Sequence, residues 1–163
     1  MANEDLSALL EALSAALCER GWTVTTAESC TGGWVAKLCT DRAGSSNWFE
    51  RGYVTYSNAA KMEMLAVDPG TLQRWGAVSE AVAREMAEGA MRSSGASLAV
   101  AVTGIAGPEG GTPDKPVGTV WFAWACDDRP TISVSKCFSG DREAVRWQSA
   151  VTALEGLLQA TTA

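Results

Sequence analysis

The feature that most constrains the fold is an apolar run at residues 97–102 (SLAVAV), directly followed by the glycine-rich loop TGIAGPEGGTPDKPVG. A continuous apolar run of this length is typical of a strand that is buried on both faces. Such a strand needs a layer of helices on each side of its sheet. The run therefore predicts a central strand of an α/β fold.

Helical and strand patterns alternate along the rest of the chain. Gly21 ends the first helix, residues 68–70 (DPG) predict a turn, and Asn58, Ser79 and Asp141 are predicted helix caps. We predict an α/β fold with one three-layer α/β/α domain over residues 1–163 and a mixed β-sheet. The predicted helices cover 4–20, 34–42, 58–67, 79–95 and 141–160, and the other strands cover 22–26, 51–57, 117–128 and 130–140.

Length and charge exclude several classes of protein. A chain of 163 residues can bury a core without disulfides or a structural metal. A formal net charge of −6 argues against nucleic-acid binding, which normally requires a basic surface. No apolar run approaches the roughly 20 residues that span a bilayer, and the N-terminus lacks the basic region of a signal peptide. Five irregularly spaced cysteines without a CxxC predict free thiols in the cytoplasm.

The chain contains no histidine. Within one chain this excludes Ser-His-Asp and Cys-His catalysis, and it excludes every zinc site that has a histidine ligand. An all-cysteine zinc site is also disfavoured, because the cysteines lack paired spacing. We expect no metal and no cofactor. If the chain is a hydrolase, its general base is a lysine, a tyrosine, a carboxylate or a chain terminus.

The loop at residues 28–33 (ESCTGG) joins a predicted strand to a predicted helix. A nucleophile there would lie beside free backbone N–H groups and the positive end of a helix dipole. Ser29 and Cys30 are both candidates, because a thiolate at a helix N-terminus is also activated. The alternative is structural, with Ser29 or Thr31 capping the helix.

Two further loops follow strands. Residues 103–108 (TGIAGP) come directly after the predicted central strand, where open α/β sheets bind ligands, although the loop is neither a Walker A motif nor GxGxxG. In the loop at 138–142, Arg142 would lie in the first turn of a helix, where a cation opposes the dipole. That position favours an anionic partner such as a phosphate, and a surface salt bridge is the alternative.

Lysine is scarce, and Lys61 follows the strand that carries both tyrosines, Tyr53 and Tyr56. A lysine base needs a pKa lowered from about 10.4 to roughly 7–8, which burial can achieve. On the local pattern alone, an exposed helical lysine is the simpler interpretation.

The sequence resembles the CinA C-terminal-domain family, the nicotinamide-mononucleotide amidases, along nearly its whole length. Seven stretches carry the resemblance in order: 27–33 (AESCTGG), 44–46 (GSS), 53–58 (YVTYSN) with Lys61, 76–79 (GAVS), 103–108 (TGIAGP), 115–120 (KPVGTV) and 140–142 (GDR).

The resemblance implies a metal-independent serine amidase that converts nicotinamide mononucleotide to nicotinate mononucleotide and ammonia. It implies Ser29 as the nucleophile, Lys61 as its base and Tyr56 as an aid to proton transfer. We expect substrate binding by Thr31, Gly32, Gly33, Ser46, Thr103, Gly104 and Arg142. The partner is then a small molecule rather than nucleic acid or a membrane, and we expect a homo-oligomer. A non-catalytic nucleotide-binding module and an amidase that uses Cys30 are the alternatives.

Overall fold

The computed structural model describes residues 3–162, which form a five-stranded sheet with helices on both faces. The helices are α1 (Asn3–Arg20), α2 (Trp34–Asp41), α3 (Asn58–Leu65), α4 (Pro69–Trp75), α5 (Glu80–Ser94) and α6 (Arg142–Thr162). The strands are β1 (Val24–Glu28), β2 (Phe49–Val54), β3 (Leu98–Gly104), β4 (Thr119–Cys126) and β5 (Arg129–Cys137).

The sheet has the order β2-β1-β3-β4-β5 and is mixed. Strands β2, β1 and β3 are mutually parallel, whereas β4 runs antiparallel to both β3 and β5. The predicted α/β/α architecture with a mixed sheet is therefore confirmed, and the apolar run at 97–102 lies in its middle strand. None of the helices in residues 3–162 combines the length and the apolar character that a bilayer crossing requires.

The two faces of the sheet carry side chains of different size. On β3, Leu98, Val100 and Val102 point toward the layer that contains α1, α2 and α6. Ala99 and Ala101 point toward the layer that contains α3, α4 and α5. Since successive strand residues point to opposite faces, these five consecutive apolar residues supply both cores.

Several predicted boundaries need correction. Strand β1 begins and ends two residues later than predicted. Strand β2 begins two residues and ends three residues earlier than predicted, so Tyr56 falls beyond its end. Ser57, not Asn58, caps α3, because its hydroxyl accepts from the backbone N–H of Ala60 at 3.0 Å. Residues 68–70 do not form an isolated turn but begin α4, with Asp68 as its cap and a proline in its first turn. The predicted caps Ser79 and Asp141 are confirmed.

The topology brings several loops to one edge of the sheet. Parallel strands β1, β2 and β3 all end there. Strand β5 runs in the same direction, since it is antiparallel to β4, so it also ends there and leads into α6. The connection after β1 passes over one face of the sheet, through α2, and the connection after β2 passes over the other, through α3, α4 and α5. Such a switch point leaves a crevice at the carboxyl ends of the strands, where α/β proteins bind ligands.

Candidate active site

Ser29 directly follows β1 and is held by its main chain. Its N–H donates to the carbonyl of Val102 at 2.9 Å, and its own carbonyl accepts from the N–H of Gly32 at 3.1 Å. The first bond continues the ladder between β1 and β3, and the second closes a tight turn. Gly32 and Gly33 both have positive φ, at 60° and 98°, which glycine adopts without steric cost. The turn thus fixes the backbone that carries the Ser29 hydroxyl.

The helix after this turn is capped by Glu28, not by Ser29 or Thr31. The N-cap position itself is Gly33, which has no side chain to offer. The buried Glu28 carboxylate accepts instead from the backbone N–H groups of Val35 at 2.9 Å and Ala36 at 3.0 Å. Two free N–H groups of the first helical turn are thereby satisfied by a full negative charge. The structural interpretation of Ser29 and Thr31 as caps is therefore wrong, and the Ser29 hydroxyl is free for other contacts.

Lys61 reaches Ser29 from the first turn of α3. The Lys61 Nζ atom lies 2.9 Å from the Ser29 Oγ atom, 2.8 Å from the carbonyl oxygen of Thr55 and 3.1 Å from that of Tyr56. The side chain is only 1% exposed, so the interpretation of Lys61 as an exposed helical lysine is wrong. These three oxygens match the three N–H donors of the ammonium form. In the neutral form, two N–H groups can stay on the carbonyls while the lone pair faces the Ser29 hydroxyl.

Burial changes the acidity of this amine. Removal from water lowers the pKa of Lys61 from its ordinary 10.5 to about 8, because desolvation penalises the charged form. The shift brings the pKa into the range where a lysine can act as a general base near neutral pH.

Cys30, the rival nucleophile, is in an unsuitable environment. Burial, together with the nearby Glu28, raises the pKa of its thiol to about 12. The expected activation by the helix dipole is outweighed by desolvation, and a thiol with this pKa is almost entirely protonated at neutral pH. The geometry therefore favours the hydroxyl of Ser29 over the thiol of Cys30.

A cavity of about 290 Å³ opens at this edge of the sheet. Six of the predicted site residues line it: Ser29, Tyr56, Lys61, Thr103, Gly104 and Arg142. The rest of its wall comes from Cys30, from residues 77–78 and from the glycine-rich loop after β3, including Glu109. A larger cavity of about 550 Å³ lies between β5 and α6, but its wall is mainly apolar and contains no nucleophile beside a buried base.

Tyr56 and Arg142 meet at the mouth of the cavity. The Arg142 guanidinium donates to the Tyr56 hydroxyl at 3.1 Å and to the carbonyl of Gly107 at 2.8 Å. Tyr56 is 62% exposed, and its hydrogen bond with Lys61 is made by its main-chain carbonyl. Tyr53 lies instead within β2 and packs against the core beneath α5. Arg142 thus presents a cation at the entrance, with a phenol beside it.

The structure does not bring every predicted residue to the cavity wall. Thr31, Gly32 and Gly33 shape the turn behind Ser29 but do not line the cavity. The Thr31 hydroxyl is buried and finds no hydrogen-bond partner within residues 3–162. Ser46 is exposed in a 3-10 turn before β2, at the opposite edge of the sheet from Ser29. Within one chain Ser46 lies away from this cavity, because parallel β2 begins at the edge opposite to where β1 ends, and its contact with substrate stays a prediction.

Two residues that the sequence analysis missed support the site. Glu28 caps α2, as described above, and Arg146 donates to two carbonyls in the Ser29 turn. Arg146 follows Arg142 by four residues, so the two lie on one face of α6. The sequence did offer one signal for Arg146. Two cations in the first turns of a helix oppose its dipole, so each favours a nearby acceptor. In the described part of the chain, His, Cys, Asp and Glu side chains form no group of three or more that could hold a metal.

Comparison with known proteins defines the family. The model of the CinA C-terminal domain matches residues 6–161. The chain therefore belongs to the CinA C-terminal domain family.

Particular relatives are similar over their full lengths. The nicotinamide-nucleotide amidohydrolase PncC of Escherichia coli K12 is 57% identical over 159 residues, which cover 98% of this chain and 96% of that protein. The protein of the same name from Enterobacter agglomerans is 55% identical, with 98% and 97% covered. The crystal structure of the competence/damage inducible protein CihA from Agrobacterium tumefaciens superposes with a TM-score of 0.93 at 42% identity, covering 98% of this chain and 96% of that one.

Proposed function

We propose that this protein hydrolyses the carboxamide of nicotinamide mononucleotide and releases nicotinate mononucleotide and ammonia. One observation carries the proposal: a serine hydroxyl lies 2.9 Å from a buried lysine amine at the wall of a ligand-sized cavity. The names of the full-length relatives from Escherichia coli and Enterobacter agglomerans, both nicotinamide-nucleotide amidohydrolases, support the substrate class.

In the first step, Ser29 attacks the carboxamide carbon. Neutral Lys61 takes the hydroxyl proton at Nζ as the new C–O bond forms, while its two N–H groups stay bonded to the carbonyls of Thr55 and Tyr56. Those two carbonyls orient the lone pair toward Ser29 and stabilise the ammonium that results. Backbone N–H groups of the turn at 30–33 are the proposed donors to the oxyanion.

In the second step, the C–N bond breaks. The Lys61 ammonium returns its proton to the departing nitrogen, which leaves as ammonia, and an ester to Ser29 remains. Water then attacks this ester, Lys61 accepts the proton of the water, and Ser29 recovers its own proton as nicotinate mononucleotide departs. We propose that the Tyr56 hydroxyl assists these transfers at the cavity mouth.

Substrate recognition rests on charge. Nicotinamide mononucleotide carries a cationic ring and an anionic phosphate. Arg142 at the mouth is the proposed phosphate ligand, and the Glu109 carboxylate on the same wall complements the ring. Thr103 and Gly104 also line the cavity, although the Thr103 hydroxyl already donates to the carbonyl of Ala77.

The test is an ammonia-release assay with nicotinamide mononucleotide, run with and without a chelator. Release that resists the chelator supports a metal-independent serine amidase. Tight binding of the nucleotide without release would show a binding module instead, and release only from other amides would overturn the substrate assignment.

We further propose that residues 1–163 act as one cytoplasmic domain and assemble into a homo-oligomer. Light scattering of the purified protein measures the assembly, and a monomer at working concentrations would contradict it.

A further inference from the structure

Arg146, a residue outside the cavity wall, contacts the turn that carries Ser29. Its Nε atom donates to the carbonyl of Cys30 at 3.0 Å, and its Nη2 atom donates to the carbonyl of Thr31 at 3.1 Å. A single guanidinium thus bonds two consecutive carbonyls from the other side of the turn. Arginine can do this because its donors form a rigid planar fork.

The guanidinium is itself held in place. It lies over the ring of Trp34, with its central carbon 5.3 Å from the ring centroid. Trp34 is the first residue of α2 and packs against Trp147, with ring centroids 5.5 Å apart. This contact with the packed Trp34 ring restricts the rotamers of Arg146, so its two hydrogen bonds require little further ordering.

The two bonds fix the orientation of peptide groups beside the nucleophile. The peptide between Cys30 and Thr31 is trans, so its N–H points away from its carbonyl and therefore away from Arg146. The carbonyl of Thr31 also accepts from the N–H of Trp34, and the carbonyl of Ser29 accepts from Gly32. The carbonyl of Cys30, in contrast, accepts its hydrogen bond from the side chain of Arg146.

We propose that Arg146 is a positioning residue that sets the Cys30–Thr31 peptide plane, and with it the backbone donors beside Ser29, for the attack on the amide. The inference rests on the proposed amidase function. It separates the two arginines of α6, because Arg142 lies at the substrate and Arg146 acts only through the backbone.

The first test compares Arg146→Lys and Arg146→Gln with wild type in the ammonia-release assay. Neither variant has the planar fork in which Nε and Nη2 bond the two carbonyls in a fixed geometry, so we expect kcat to fall roughly 10- to 100-fold in both. KM and the midpoint of the pH profile should stay unchanged, because neither Arg142 nor Lys61 is altered. The control is Arg92→Gln, at an exposed arginine of α5. An unchanged kcat, or a loss confined to KM, would overturn the proposal.

The second test does not depend on turnover. Backbone amide exchange is measured by NMR in Arg146→Gln and in the Arg92→Gln control. We expect the amides of residues 30–34 to exchange about tenfold or more faster in Arg146→Gln, while those of β3 keep their protection. Unchanged exchange at 30–34, or equal acceleration along the whole chain, would contradict a local positioning role. If wild-type protein releases no ammonia, the proposed function fails, and the exchange data still decide the role of Arg146.

Discussion

At Ser29, two demands on one short turn are met by two different side chains. The helix after the turn needs an acceptor for its free N–H groups, and a nucleophile needs a hydroxyl that no backbone group occupies. Glu28 supplies the acceptor from the end of β1. The Ser29 hydroxyl is therefore left to the buried amine of Lys61. The proposed nucleophile thus lies at a helix start without serving as its cap.

Removal of the hydroxyl tests the nucleophile directly. We expect Ser29→Ala to lower kcat for ammonia release by at least about 10³-fold, because no acyl-enzyme can form. The fold should remain, since the side chain makes no capping bond. Cys30→Ala is the matched control at the adjacent position. Its thiol is protonated and should not react, so turnover should stay within about tenfold of wild type. Near-wild-type turnover in Ser29→Ala would remove Ser29 from its role.

The pH dependence of kcat/KM tests the base. Lowering the pKa of Lys61 from 10.5 to about 8 raises its neutral fraction at pH 7 roughly 300-fold, to about a tenth. The active form is the deprotonated one, so kcat/KM should rise with pH and level off above about 8. Lys61→Met should abolish the activity, whereas Lys37→Met, at an exposed lysine of α2, should keep the full profile. A flat profile between pH 6 and 9 would exclude a lysine base with this pKa.

At the scale of elements, the sequence predicted the helices and strands whose signals are local. The apolar run at 97–102 identified the central strand, and Ser79 identified the start of α5, because each signal lies inside its own element. The capping of α2 by Glu28 could not be predicted in this way. The carboxylate bonds N–H groups seven and eight residues further along, and they come within reach only because Gly32 and Gly33 fold the turn.

The same limit applies to the site. A serine in a glycine-rich turn and a scarce lysine after the next strand were visible as candidates. Their pairing depends on β1 and β2 being adjacent and parallel, which places the two loops at one edge of the sheet. The burial of Lys61 depends on the packing of α3 and could not be deduced from its neighbours in the sequence.

Glu28→Gln tests the cap of α2. The amide keeps one acceptor but presents N–H donors to a backbone N–H, so a buried donor is left without a partner. We expect a loss of about 1–3 kcal/mol in the free energy of unfolding, measured by urea denaturation. Activity at temperatures well below the transition should also fall, because the turn that carries Ser29 loosens. Glu11→Gln on the exposed face of α1 is the control and should change neither quantity. Equal midpoints for the two variants would show that the cap contributes nothing.

At the scale of the whole molecule, α6 connects the site to the body of the fold. Its first turns carry Arg142 and Arg146 beside the cavity, and its later turns cover β4 on the face with large side chains. On the opposite face, small alanine side chains lie beneath α5. The position of Arg142 and Arg146 at the candidate site therefore depends on how closely α6 can approach the sheet.

Gly156 sets that approach, and Gly156→Ala tests it. A β-carbon at Gly156 would overlap the indole of Trp124. The indole cannot easily move, because its Nε1 atom donates to the carbonyl of Ala153 at 3.1 Å and its ring stacks on Phe122. In an exposed helix the substitution would stabilise by up to about 1 kcal/mol, whereas overpacking a core costs about 1–3 kcal/mol.

The overlap with a fixed ring should make Gly156→Ala destabilising. We expect Gly156→Ala to lower the free energy of unfolding by about 1–2 kcal/mol in urea denaturation, while Glu155→Ala, at an exposed neighbour, leaves it within about 0.5 kcal/mol. A shift of α6 away from β4 would also move Arg142 and Arg146, so kcat/KM should fall in Gly156→Ala and not in the control. A stabilised Gly156→Ala with full activity would show that α6 can move away from the sheet without disturbing the site.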